Sequence, residues 1–202
     1  MIITGLERKR GSLYIVSLDG EVVGEIDRRT MDESGYGVDS DLSVEQWQQL
    51  QEQSAYNRAK DKALYWLSLR DRSRGELLRK LKEITDEQIA VDTVERLTEL
   101  GLLNDDALAA RWAVELSRQK HFSRRRVEQE LVRRGFDREV ARAAVEELDA
   151  EDTTQALAII RKKYYNKMMT EDGRRKTMAA LGRYGFSSTT IRRAFENWEI
   201  ED

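Results

Sequence analysis

Basic side chains are concentrated in three separate stretches of this sequence, and clusters of this kind bind phosphate groups. Residues 70–82 hold six lysines and arginines against two acids, and residues 118–134 and 161–176 each hold seven against two. Residues 83–106 hold one basic residue against eight acids. Positive charge at a helix start opposes the helix dipole, so helix formation does not account for Arg124-Arg125-Arg126. Spaced basic clusters in a chain of net charge −3 are typical of a groove that follows a phosphate backbone.

These clusters predict a binding surface. A solvated helix face explains a single cluster equally well. It is the weaker explanation for three clusters that occupy matching positions in the copies of an internal repeat, described below. Tyr164 and Tyr165 follow the third basic run, where they either stack on the bases of a single strand or pack internally. The residues predicted to form the surface are Arg70, Arg72, Arg74, Lys120, Arg124, Arg125, Arg126, Arg161, Lys162, Lys163, Arg174, Arg175 and Lys176.

The sequence offers little material for catalysis. His121 is the only histidine, and no triad partner stands near it in the sequence. Cysteine is absent, which excludes disulfides, thiolate metal sites and cysteine nucleophiles. Gly35-Tyr36-Gly37 lacks the lysine and the strand–helix context of a phosphate loop. We therefore predict a protein that is not an enzyme and that uses no cofactor and no metal.

An internal repeat positions the basic clusters. Residues 73–81 resemble residues 123–131 and, more weakly, residues 173–181, so the closing leucines stand at 81, 131 and 181. Each copy reads as three helices. Helices this short bury little surface alone, so neighbouring helices and copies must pack together.

Capping residues set the expected helix ends. The patterns Ser73-x-x-Glu76 and Thr85-x-x-Gln88 predict capping boxes at two helix starts. Gly135 and Gly185 are expected to end helices, as is Gly101. Ser43 is expected to begin a helical stretch that runs to residue 69 as one long helix or two joined ones.

The first 42 residues differ from the rest. Residues 12–18 and 21–26 are β-type runs around Asp19-Gly20, which is a strong hairpin signal, and residues 2–7 are a candidate third strand. The predicted fold is mainly α: three tandem three-helix repeats in a curved array, with a small N-terminal β-hairpin appendage. The expected boundaries are 1–42 for the β appendage, 43–101 for the first helical repeat with its long entry helix, 102–150 for the second repeat and 151–202 for the third.

The sequence lacks a signal peptide and an apolar run of about 20 residues, so it predicts a soluble cytoplasmic protein without membrane contact. No heptad seam is sustained, which makes a monomer the expectation.

Several segments together resemble the RecX family of RecA regulators. The resemblance rests on residues 55–59 with 65–77, on the junction at residues 97–109, and on residues 123–131 followed by Arg133-Arg134-Gly135-Phe136. It covers most of the chain from about Ala55 onward. Asp71 and Phe122 depart from the family pattern, in which proline is common at those places.

The resemblance implies tandem three-helix units that bind in the groove of the RecA–DNA filament. It implies modulation, usually inhibition, of ATP hydrolysis, strand exchange and coprotease activity, with some direct binding of single- and double-stranded DNA. Two alternatives remain open. One is a transcription-regulator type of protein that inserts a helix pair into the major groove. The other is a scaffold whose basic residues bind an acidic protein.

Overall fold

The computed structural model describes residues 1–149 and 151–201, the side chains of 199–201 excepted. It opens with an antiparallel sheet in the order β1-β2-β3. The turn between β2 and β3 is Asp19-Gly20, whose φ angles of 47° and 89° are both positive, as a two-residue hairpin turn requires. The predicted hairpin and the predicted third strand are therefore confirmed. The strands are β1 (Ile3–Lys9), β2 (Leu13–Leu18) and β3 (Glu21–Asp27).

The sheet shares a core with the first helices. Ile3, Val16 and Ile26 are fully buried and cluster with Trp47 and Leu50. Helix α1 (Arg28–Ser34), which the sequence-based prediction missed, follows β3 directly. Helix α2 (Val44–Leu69) is one continuous helix and carries Trp47 and Leu50. The sheet is thus built into the packing of α2.

Two of the predicted serines cap helix starts, and at one of them the Ser73 hydroxyl accepts the Glu76 N–H at 3.1 Å. Ser43 accepts the Gln46 N–H at 3.2 Å, and the Gln46 side chain accepts the Ser43 N–H at 2.8 Å, which completes a capping box. The box predicted at Thr85-x-x-Gln88 is wrong, because the helix begins at Glu87 with Asp86 as its N-cap. The glycines predicted to end helices all take positive φ: 71° at Gly101, 90° at Gly135 and 94° at Gly185.

Together with α2, the remaining helices form the predicted tandem three-helix groups, each around its own apolar cluster. The first helix of the third copy is interrupted by a π-helical turn at residues 160–164. The sequence pattern does not predict this turn. The helices are α3 (Arg74–Leu81), α4 (Glu87–Glu99), α5 (Asp105–Lys120), α6 (Arg124–Arg133), α7 (Arg138–Glu146), α8 (Asp152–Ile159), α9 (Tyr165–Met168), α10 (Glu171–Arg183) and α11 (Ser188–Glu201).

The chain folds into two compact units. The first unit joins residues 1–72 to residues 77–103, and the second joins residues 73–76 to residues 104–202. The four-part division expected from the sequence remains a prediction. Among the described residues, no helix is both long and apolar enough to cross a membrane.

The second unit contains a contact that repeats with the sequence. The Ser73 hydroxyl donates to the Arg134 carbonyl at 2.7 Å, and fifty residues later the Ser123 N–H donates to the Tyr184 carbonyl at 3.0 Å. Each of these carbonyls precedes a positive-φ glycine, Gly135 or Gly185. The copies therefore meet through a serine on one side and a helix-ending glycine on the other.

Candidate nucleic-acid interface

Carboxylates from the following copy cap the basic helix starts. The Arg74 N–H donates to Asp105 at 2.9 Å, and the Arg124 N–H donates to Asp152 at 3.0 Å. Ser123 also caps α6 by accepting the Arg126 N–H at 3.2 Å. A negative charge at a helix N-terminus offsets the dipole, so these carboxylates let a helix begin with arginines. Sequence reasoning missed this role of Asp105 and Asp152, because their partners lie about 30 residues away.

We expect Asp105→Ala to lower the free energy of unfolding by about 1 kcal/mol, the usual value of a helix cap. Asp105→Asn keeps an acceptor oxygen and is expected to lose less. Burial raises the pKa of Asp105, and the hydrogen bond from the Arg74 N–H opposes that shift. A raised carboxyl pKa contributes stability below its ordinary range that is lost as pH rises through the folded value. Wild type should therefore lose stability relative to Asp105→Asn as pH rises through and above the ordinary aspartate range near about 3.9; urea denaturation over a pH series measures it, and a parallel course for both proteins would contradict it.

Three of the predicted surface arginines donate to carbonyls at or just beyond helix C-termini. Arg72 Nε donates to the Trp66 carbonyl at 3.4 Å, and Arg174 Nε donates to the Met168 carbonyl at 2.8 Å. The Arg124 guanidinium donates to the Leu148 carbonyl, just beyond the end of α7. The last carbonyls of a helix lack intrahelical donors, so these arginines have a role in stability whatever they bind.

Arg126 is held by a buried carboxylate. Glu130, whose side chain is 8% exposed, accepts from Arg126 at 2.8 Å and from Arg133 at 2.6 Å. The Arg126 guanidinium also lies 5.5 Å from the centre of the Phe122 ring, a cation–π distance. Its Nε is buried without a hydrogen-bond partner among the described residues. Arg126 is thus fixed in position by Glu130, whose single negative charge it shares with Arg133.

Glu130→Gln is expected to lower the free energy of unfolding by about 1–2 kcal/mol, because it leaves two guanidinium groups without their shared carboxylate. The matched control is Glu146→Gln, which removes an ion pair to Arg142 in which both side chains are more than 60% exposed. That change should stay within about 0.5 kcal/mol. Urea denaturation of both variants decides the point, and equal small losses would contradict a buried role for Glu130.

The other predicted residues expose their side chains. Arg175 and Lys176 both contact Asp172, at 3.0 Å and 2.6 Å, and so share one carboxylate. The Arg70 guanidinium donates to the Asp71 carbonyl at 3.1 Å. The exposed residues of the predicted set are Arg70, Arg74, Lys120, Arg125, Arg161, Lys162, Lys163, Arg175 and Lys176.

The second and third basic clusters meet around Tyr184, on α10's C-terminal side. Lys163 Nζ lies 3.3 Å from the Tyr184 hydroxyl and 5.5 Å from the centre of its ring. The Phe122 ring lies 6.4 Å from the same ring, measured between centroids. We call His121, Phe122, Lys162, Lys163 and Tyr184 the Tyr184 cluster. A continuous basic row through all the copies remains a prediction.

Beside this cluster lies a polar groove of about 520 Å³. It is lined by Arg125, Arg126 and Gln129 of α6 and by Arg183 of α10, among others. Arg183 was not among the residues predicted from sequence, because it stands alone at the end of its helix, several residues beyond the nearest basic run. The groove adds a guanidinium from the third copy to those of the second.

The two tyrosines after the third basic run have different environments. Tyr164 is partly buried against the apolar cluster of the third copy, and Lys167 Nζ lies 5.4 Å from its ring centre. Tyr165 is 45% exposed and its ring meets Trp198 edge-on at 6.2 Å. Internal packing therefore describes Tyr164, whereas Tyr165 keeps an accessible ring.

The chain matches known proteins by family model and by sequence. The models for the first and second RecX three-helix domains match residues 59–97 and 104–145. A regulatory protein RecX of Mycobacterium ulcerans (strain Agy99) is 34% identical over 143 residues, which cover 68% of this chain and 83% of that protein. The chain belongs to the RecX family. A regulatory protein RecX of Clostridioides difficile (strain 630) is 28% identical over 157 residues, covering 76% of this chain and 74% of that protein.

Solved RecX structures share the fold. A crystal structure of regulatory protein RecX aligns with a TM-score of 0.70 at 20% identity, covering 96% of this chain and 98% of that one. RecX from Lactobacillus salivarius aligns with a TM-score of 0.64 at 19% identity, covering 72% of this chain and 97% of that one. At these identities the likeness establishes the architecture, and the site must be argued from this chain's own residues.

The RecX-matched segments contain only part of the candidate surface. Residues 59–97 include the first basic cluster from Arg70 to Lys82, and residues 104–145 include Lys120 and Arg124 to Arg126. The third basic cluster lies beyond both matched segments. Among the described residues, no group of three or more histidine, aspartate or glutamate side chains is placed to hold a metal ion.

Proposed function

We propose that this RecX-family protein acts as a monomer in the cytoplasm, binds the RecA nucleoprotein filament and its DNA, and inhibits RecA's ATP hydrolysis, strand exchange and coprotease activity. Its regulation needs no catalysis or cofactor of its own. The observation that carries the proposal is the convergence of basic side chains from two copies around Tyr184, in a chain whose family members are named regulatory proteins.

The mechanism we propose is differential binding. The exposed lysines and arginines of the second and third copies bind DNA phosphates, and others bind acidic recombinase surface. A protein that bridges neighbouring protomers in one filament state stabilises that state relative to the others. Inhibition follows if the favoured state hydrolyses ATP slowly.

The test is ATP hydrolysis by the RecA of the same organism on single-stranded DNA, with this protein titrated at fixed salt. We expect hydrolysis to fall as the protein approaches a stoichiometric ratio to RecA, and the protein alone to hydrolyse no ATP. Unchanged hydrolysis, in samples where cosedimentation shows the protein on DNA, would contradict the proposal.

A direct DNA-binding role is the second candidate, supported by the helix pair α6–α7. The two helices are joined by the short turn at residues 134–137, in which Gly135 is left-handed and Asp137 caps α7. Such a pair can place α7 in a major groove, with Arg138 exposed at its start. Footprinting on duplex DNA without recombinase would show a defined site if this role is correct.

A further inference from the structure

We propose that the Tyr184 cluster is a proton-linked phosphodiester site, in which Lys162 and Lys163 bind a backbone phosphate of single-stranded DNA and His121 takes up a proton when that phosphate binds. This inference deepens the proposed function and rests on its DNA contact. It assigns a role to the only histidine of the chain, which the filament-binding proposal leaves unused.

The backbone around His121 is anchored, so the imidazole has a fixed place. His121 ends α5 in the left-handed conformation, with φ 55°, and its N–H donates to the Leu116 carbonyl. The Phe122 N–H also donates to that carbonyl at 3.3 Å, and the Ser123 N–H donates to the Tyr184 carbonyl at 3.0 Å. The first two bonds hold residues 121 and 122 against the end of α5, and the third holds Ser123 against the C-cap of α10.

The π-helical turn presents the two lysines. Ile160, the first residue of the turn, is fully buried, whereas Arg161, Lys162 and Lys163 are all exposed. A π-turn adds a residue to one helical turn and so re-aims the side chains that follow, and such turns are frequent at functional sites. Three consecutive cations on one turn repel one another, and a bound anion relieves that repulsion.

The charges that act on His121 are positive. Burial of the imidazole, and then the nearby charges of Lys163 and Lys162, lower the pKa of His121. Lys120, the last residue of α5, precedes it, and Tyr184, the C-cap of α10, is the other titratable side chain of the cluster. On the α6 and α8 side, the Asp152 carboxylate is engaged by the Arg124 N–H. A phosphate bound between the lysines offsets their charge, so it favours the imidazolium form.

The aromatic rings favour a nucleic-acid strand over an acidic protein segment as the ligand. Phe122 and Tyr184 are partly buried, their ring centroids lie 6.4 Å apart, and Lys163 lies over the Tyr184 ring. A nucleotide supplies both an anion and a flat ring, and base stacking on aromatic side chains adds to affinity without sequence preference. Lys163 Nζ already lies over the Tyr184 ring, so a single nucleotide can contact the ammonium group with its phosphate and the ring with its base.

The experiment follows the imidazole resonance of His121 by NMR in the untagged chain, from about pH 5 to about pH 8, where histidine titrates. A single histidine gives one unambiguous signal. The free protein should titrate below the ordinary value of about 6.5. Saturating oligothymidylate, which has no group titrating in this range, should raise the pKa by at least about half a unit, and binding should tighten roughly threefold on protonation.

Variants separate the site from general charge. Lys162→Gln with Lys163→Gln should raise the pKa of His121 in the free protein and remove the further rise caused by the oligonucleotide. The matched control, Lys60→Gln with Lys62→Gln in α2, should leave the rise intact. His121→Asn should abolish the pH dependence while retaining binding near pH 8, because asparagine tolerates the left-handed conformation.

The outcomes distinguish this site from the proposed function. Oligonucleotide binding with an unchanged pKa of His121 would overturn the site, as would a rise produced by recombinase alone but not by the oligonucleotide. Inhibition of RecA without the rise would keep the proposed function and overturn the site. The rise in a protein that leaves RecA hydrolysis unchanged would keep the site and overturn the proposed function.

Discussion

Reversing the charges of Arg125, Lys162 and Lys163 together is expected to weaken binding of single-stranded DNA at least about a hundredfold at low salt. Each lost phosphate contact on a single strand removes about 0.7 from the slope of log affinity against log salt, so the slope should shrink by about 2. Fluorescence anisotropy with an oligonucleotide, repeated over a salt series, measures both quantities. The same variant should inhibit RecA hydrolysis less at equal concentration.

The structure decides which residues to reverse. The run Arg124-Arg125-Arg126 is the obvious target from sequence, but two of its members hold the fold together. Arg124 binds the Leu148 carbonyl, and Arg126 binds Glu130 and lies over Phe122. Reversing all three would confuse lost binding with lost stability. Arg125 is exposed and lines the polar groove, so its reversal tests the surface alone.

A matched control reverses Arg10, Arg192 and Arg193. These residues are exposed in the β1–β2 turn and on α11, outside the predicted surface, and their reversal changes the net charge by the same amount. If binding depends only on total charge, both variants lose equal affinity and the Tyr184 cluster is not the binding surface. If the control binds nearly as well as wild type, the affinity for DNA resides in Arg125, Lys162 and Lys163.

Local signals in the sequence were sufficient for most of the fold. The Asp19-Gly20 turn, the helix start at Ser43 and the left-handed glycines 101, 135 and 185 depend on neighbours within a few residues, and each formed as predicted. The tandem three-helix pattern followed from the 50-residue offset of the closing leucines. Such local signals predict the structure correctly because backbone propensity and packing favour the same conformation at those positions.

Contacts between residues distant in the sequence could not be predicted from local sequence patterns. Asp105 and Asp152 cap helices of the preceding copy, and Glu130 gathers two arginines, although each looked like an ordinary helix residue. The candidate surface shows the same limit. The basic runs were visible, but which arginines are committed to carbonyls depends on where other helices end. The π-helical turn also carries no compositional mark, because it differs from an α-helix only in hydrogen-bond spacing.

Gly135→Ala is expected to lower the free energy of unfolding by about 3 kcal/mol, from left-handed strain and overpacking together. Gly135 has φ 90°, and a Cβ there would stand 2.7 Å from the Glu76 backbone nitrogen. That neighbour is backbone, which cannot rotate away. The repeated contact of the second unit, in which Ser73 binds the Arg134 carbonyl, should loosen with it. Urea denaturation followed by circular dichroism measures the loss.

Alanine substitutions at two helical glycines are expected to change the free energy of unfolding in opposite directions. Gly75 and Gly182 lie in α3 and α10, where alanine ordinarily favours the helix by about 1 kcal/mol. A Cβ at Gly182 meets no atom within 4 Å, so Gly182→Ala should stabilise. A Cβ at Gly75 would overlap the Gly135 carbonyl oxygen, so Gly75→Ala should destabilise despite its better propensity. If both alanines stabilise alike, the two backbones are not in contact in solution. Opposite signs require that Gly75 and Gly135 touch, because nothing in local sequence distinguishes the two substitutions.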